Sequence, residues 1–168
     1  MAHGVIRTDN MLGTDVGTHL VSFKYQPSGS DAAIDNGNVV VIGDLISGER
    51  EVHAATTPAK NTALAKIAVV ASVEVMYDEH KKNLSDFYNE AGKICRGFYL
   101  HSKDVFSVTA DALNIDSSVS PAVGDIVELI AGTKMSIVKT LTSGSTQVGT
   151  ILDIEKNGRY TYYAIQIA

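Results

Sequence analysis

A mainly β fold is predicted by three features of the chain. Valine, isoleucine, threonine and tyrosine recur in short runs set off by glycine, and glycine outnumbers proline 14 to 3. From Cys95 onward apolar and polar residues alternate, the period of a half-buried strand. Near the C-terminal end two alternating runs flank Asn157-Gly158, a dipeptide that tolerates the positive φ of a tight hairpin. With 168 residues, 45% of them hydrophobic, the chain can bury one sizeable core. The expectation is a small barrel- or sandwich-like β module with at most one or two short helices. It divides into an extended N-terminal arm, residues 1–30, and a single β-rich domain, residues 31–168.

The arm is inferred from sparse anchors. Val5, Ile6, Leu12, Val16, Leu20, Val21, Phe23 and Tyr25 are too few for a core and too many for a solvated tail. A short strand over 20–25 ends it, and Gln26-Pro27-Ser28-Gly29 breaks the chain. Such an arm packs on a neighbouring subunit or forms an edge strand of its own sheet. Asn36-Gly37 is a turn that opens into residues 39–42, an apolar run typical of a strand buried on both faces. A returning strand is expected over 51–55. Residues 67–77 are read as a strand because Val73, Val75 and Tyr77 alternate with Glu74 and Met76. Leu84, Phe87, Tyr88 and Ala91 recur at helical spacing ahead of Gly92, which predicts one or two helical turns. Strands follow over 95–101, 105–110, 126–130, 135–139, 148–154 and 160–167. In the last of these, Tyr160 and Tyr162 share a face opposite Tyr163.

The motifs that carry common chemistries are missing from the sequence. There is no HExxH or HxH ligand pair, no GxSxG nucleophile elbow, and no glycine-rich phosphate cradle. Asp78-Glu79-His80 reads as a solvated turn in preference to a cation site. Cys95, the single cysteine, has His101 six residues on. In one strand that spacing separates the two by ~20 Å at ~3.3 Å per residue, too far for a nucleophile and its base. Cys95 is therefore expected to be a buried structural residue. No catalytic, cofactor-binding or metal-ligating residues are assigned, and no enzymatic activity is expected.

A single cysteine allows no intrachain disulfide, which suits a reducing compartment. The net charge of −5, with Lys81-Lys82 the one basic doublet, argues against a nucleic-acid partner. The opening MAHGVIRTDN has neither the basic nor the apolar region of a secretory signal, and no run is long enough for a membrane span.

Three segments, in order, carry a resemblance: NGNVVVIGDLISGEREVHAATTPAK (36–60), NEAGKICRGFYLHSKDVFSVTADAL (89–113) and VGDIVELIAGTK (123–134). Together they cover about half the chain and resemble the head decoration proteins of tailed bacteriophages. The resemblance implies a β-rich virion protein, made in the bacterial host cytoplasm, that binds the outside of the assembled capsid and stabilises it. The implied partners are the major capsid protein and further copies of the chain, a trimer suiting three-fold capsid axes. The expected contact residues are Val5, Ile6 and Leu12 in the arm and Tyr160 and Tyr162 on the last strand. A tail, baseplate or other assembly module is the alternative, and a small enzyme with a dispersed site is the third reading.

Overall fold

The computed structural model describes residues 2–168; Met1, the first residue of the expected arm, lies outside them. Twelve strands run in chain order: β1 (Ile6–Asn10), β2 (Leu20–Tyr25), β3 (Val39–Leu45), β4 (Val52–Thr56), β5 (Ile67–Val70), β6 (Cys95–Tyr99), β7 (Val105–Thr109), β8 (Leu113–Asn114), β9 (Ile126–Glu128), β10 (Met135–Val138), β11 (Gln147–Asn157) and β12 (Tyr160–Ile167). Helix is confined to α1 (Leu12–Asp15) and four single 3₁₀ turns among the described residues. The mainly β expectation therefore holds.

The strands form two units. β2-β4-β3-β5-β6 close into a five-stranded barrel, and β1-β7-β12-β11-β9-β10-β8 form a seven-stranded sheet. Alternation along the barrel strands serves two cores at once. Val21, Phe23, Val40, Ala68, Val70 and Cys95 point into the barrel. Their neighbours Val39, Ile67, Val69 and Phe98 point outward and pack on Phe106, Val108, Val127, Ile137, Ile151 and Ile165 of the sheet. This is why IAVV of β5 is apolar at every position: both of its faces are buried. The barrel interior is tight at its glycine. A Cβ on Gly97 would sit 3.1 Å from each of Val21 Cγ1, Phe23 Cε1 and Ala68 Cβ.

The units meet at residues 34–39. Gly37 has φ +81°, a conformation most side chains avoid, and a Cβ there would fall 2.7 Å from Ala112 Cβ. Its N–H donates to the Val70 carbonyl, and the Val39 N–H donates to the Thr133 carbonyl across the unit boundary.

The N-terminal expectation is corrected. The short strand expected over 20–25 is found as β2, and the edge-strand alternative describes β1, but the described residues 2–30 pair within the fold and do not extend as an arm. β1 pairs antiparallel with β7 and forms one edge of the sheet. β2 closes the barrel, pairing parallel with β4 and antiparallel with β6. The anchors were too few for a core of their own because they are divided between two cores: Ile6 and Leu20 join the inter-unit core, Val21 and Phe23 the barrel.

Three local expectations also change. The strand expected over 67–77 stops as a ladder at Val70, because side chains take over its pairing (below). The helix expected from Leu84 reduces to a 3₁₀ turn over Leu84–Asp86. Asn83 and Asp86 close that turn as a capping box, and Asn89 then exchanges backbone hydrogen bonds with Ile34, which holds the chain extended. The terminal hairpin pairs Asn157 with Tyr160, so its two-residue loop is Gly158-Arg159, not Asn157-Gly158. Gly158 supplies the positive φ at the first loop position, and Asn157 is the last strand residue.

Two outcomes follow. Removing residues 1–30 deletes a barrel strand and a sheet edge, so the shortened chain is expected to lose its cooperative unfolding transition in a urea titration. Phe23→Ala empties the barrel centre and is expected to cost about 3–5 kcal/mol, read as a lowered urea midpoint.

Candidate interaction face

After β5 the chain leaves the ladder as a strap over residues 71–77, tightened by a turn at Glu74 in which the Val75 N–H donates to the Val73 carbonyl at 2.9 Å. Asn36, fully buried, holds it there. The Asn36 amide donates to the Ser72 carbonyl at 2.9 Å and accepts from the Ser72 N–H at 3.0 Å, as a strand backbone would. It also donates to Glu74 Oε1 at 3.1 Å. Glu74 is thereby drawn inward, and its neighbours are turned outward. Tyr77 is 94% exposed, Val73 61% and Val75 53%. The alternation read from the sequence is real, but its apolar face is on the outside.

Opposite this strap lies the segment joining Asn83 to β6, with Phe87, Tyr88 and Ile94. Ile94 is 57% exposed. Strap and segment enclose an open groove of about 650 Å³, within the range of ligand-sized sites, about 300–1,000 Å³. Its far wall is braced by packing. His3 stacks on Tyr88 at 4.7 Å and hydrogen-bonds Asp35 at 2.8 Å. Lys81 lies 4.9 Å from the Tyr88 ring centre and 3.9 Å from a Glu90 oxygen. Four large apolar side chains, Val73, Val75, Tyr77 and Ile94, are thus exposed beside one groove, which makes it the candidate contact face.

The contact residues expected from the sequence are dispersed. Val5 and Ile6 are buried against the seven-stranded sheet, and Tyr162 is buried beneath the Arg7 guanidinium, 5.0 Å from its ring centre. All three are engaged internally, which corrects their assignment to capsid or subunit contact. Leu12 is exposed at the start of α1. Tyr160 is half-buried, its hydroxyl 3.4 Å from Ser85 Oγ. Tyr160 and Tyr162 do share a face, their rings 6.1 Å apart. No pattern in the sequence distinguishes Val73, Val75 and Tyr77 from core residues. Their outward turn depends on Asn36, 37 positions before Val73, reaching Glu74.

Cys95 lines the groove but is itself buried, its thiol donating to the Lys93 carbonyl at 3.7 Å. Burial pushes the thiol up to about 11 from an ordinary 9.0. Such a thiol is a poor nucleophile near neutrality. His101 is occupied elsewhere, packing edge-on to His19 at 4.1 Å, with Nδ1 3.2 Å from the Tyr99 carbonyl. Asp78-Glu79-His80 forms an exposed turn in which Asp78 accepts the His80 N–H. Among the described residues no three His, Cys, Asp or Glu side chains converge as a metal site, and no helix is long and apolar enough to cross a membrane.

No protein-family model, no curated protein and no solved structure matches the chain.

The Cys95 geometry sets a measurable outcome. The native thiol is expected to react with a thiol-specific disulfide reagent at pH 8 at least a hundredfold more slowly than the urea-unfolded chain. Because its folded value is raised, its contribution to stability is complete below about pH 9 and falls as pH climbs toward about 11. Cys95→Ser is expected to remove that alkaline component from the pH dependence of the urea midpoint.

Proposed function

We propose that the chain is a non-catalytic structural protein of a tailed-phage virion, one that docks on the outside of the assembled head and stabilises it. The observation that carries this reading is the exposed apolar stripe Val73, Val75, Tyr77 and Ile94, displayed on a pair of β units. The sequence resemblance of residues 36–60, 89–113 and 123–134 to head decoration proteins supplies the kind of partner. Two units sharing one core suit a part that must hold its shape on a lattice. Repetition over many copies multiplies a modest contact into firm attachment, so a shallow groove is sufficient. The partner in this reading is the major capsid protein, with further copies of the chain as neighbours on the lattice.

Binding only the assembled shell shifts its equilibrium by mass action, so decorated heads should withstand more heat than bare ones. The test adds purified protein to heads lacking it and follows co-sedimentation and the temperature of genome release. Saturation at a fixed copy number with a raised release temperature is expected. Val75→Asp with Tyr77→Asp is expected to weaken co-sedimentation at least tenfold. Recovery of the protein in tails alone would place it in the tail or baseplate.

A further inference from the structure

The chain holds two Asn-Gly pairs, and the fold places them in opposite settings. We infer that Asn157-Gly158, at the end of the terminal hairpin, is a site of spontaneous deamidation that loosens the hairpin from the turn over 83–86, and that Asn36-Gly37 is protected from the same reaction. The inference is independent of the partner proposed above.

Asparagine is a thermolabile residue, most of all before glycine, which has no Cβ to hinder ring closure. The Gly158 amide nitrogen, giving its proton to solvent base, attacks Asn157 Cγ. A bond forms between that nitrogen and Cγ, the Cγ–Nδ2 bond breaks, and Nδ2 leaves as ammonia. Water then opens the five-membered imide. Opening at Cγ leaves aspartate. Opening at the main-chain carbonyl leaves isoaspartate, whose main chain runs through Cβ and Cγ. Water is the co-reactant, and nothing is oxidised or reduced.

The requirements of this chemistry are met at 157–158. Both residues are exposed. The Asn157 side chain makes no hydrogen bond and the Gly158 N–H meets no acceptor among the described residues. A Cβ placed on Gly158 would meet nothing within 4 Å, so the approach from solvent is open. Asn157 and Tyr160 form the last rung of their ladder, so the backbone rotation that ring closure needs disturbs one terminal pair.

Asn36-Gly37 fails each requirement. Asn36 is fully buried. Its amide donates to the Ser72 carbonyl and Glu74, and accepts from the Ser72 N–H and Asn89. The nitrogen that would attack belongs to Gly37, whose N–H is committed to the Val70 carbonyl at 2.8 Å. A Cβ on Gly37 would lie 2.7 Å from Ala112 Cβ and 3.0 Å from Val108 Cγ1, so the site has no room for a ring to close.

The consequence follows from what the hairpin end holds. Arg159 Nη1 donates to Asn83 Oδ1 at 2.6 Å, and the Ser85 N–H donates to the Tyr160 hydroxyl at 3.4 Å. An isoaspartate at 157 lengthens the main chain by a carbon just before both residues and displaces them from these partners.

The test ages the purified full chain at pH 8, digests it, and quantifies aspartate and isoaspartate in each peptide by mass spectrometry. Conversion at Asn157 is expected at least tenfold faster than at Asn36, rising with pH, with isoaspartate in excess of aspartate. In urea the two sites should converge, because the protection of Asn36 belongs to the fold. Asn157→Gln should abolish the reaction at that peptide. In the ¹⁵N-labelled protein, the amide shifts over Asn83–Asp86 should move in the isoaspartyl form and move less in Asn157→Asp, which adds the carboxylate without lengthening the chain. Equal rates at the two sites in the folded chain, no conversion at Asn157, or faster conversion at Asn36 would overturn the site. Unmoved Asn83–Asp86 amides in the isoaspartyl form would overturn the loosening.

Discussion

One buried amide organises the joint of this molecule. Asn36 sits where the barrel, the sheet and the groove come together, and its side chain behaves as a fragment of strand. It satisfies both backbone groups of Ser72, takes a hydrogen bond from Asn89 at 3.2 Å, and reaches Glu74. A side-chain amide shut away from water costs about 1–3 kcal/mol for each group left unsatisfied. Satisfying it completely fixes three chain segments at once. Gly37 makes the arrangement possible, because the turn after Asn36 needs a positive φ against Ala112 and Val108 with no room for a Cβ.

The rest of the architecture follows from that joint. With residues 34–39 seated between the units, β3 and β5 lie with one face in the barrel and the other on the sheet. One set of strands then serves two cores, and neither unit can be taken away without exposing the other's apolar surface. The same amide draws Glu74 inward and so turns Val73, Val75 and Tyr77 out. The exposed apolar row is thus a consequence of how the core is closed. Its groove is framed by backbone held at Ser72 and Asn89, on either side of the same asparagine.

What the sequence made legible was local. β12 is found over the residues its alternation marks, and β4, β9 and β10 lie within a residue or two of their expected places, because period-two patterns report directly on half-buried strands. Cys95 is buried as its apolar setting implied. The misread elements are those whose conformation is set from a distance. Residues 1–30 look too sparse for a core only if one core is assumed, and Phe23 and Ile6 belong to different ones. The helical spacing of Leu84, Phe87 and Tyr88 is overridden by the pairing of Asn89 with Ile34, 55 positions away in the chain. The strap's inverted alternation depends on Asn36 reaching Glu74, a contact that composition and periodicity do not encode. The groove was illegible for the same reason.

The central claim is that the 34–39 joint makes barrel and sheet one cooperative body. Native-state hydrogen exchange measures this most directly. The amides of Val40 and Val69 in the barrel and of Phe106 and Ile165 in the sheet report on the two units, and the Val39 amide, bonded to the Thr133 carbonyl, reports on the joint. If the joint welds them, all five exchange through the same global opening, with one free energy and one dependence on added urea. Distinct opening free energies for the barrel and sheet amides, with Val39 following the lower, would show two units that merely touch and would contradict the account.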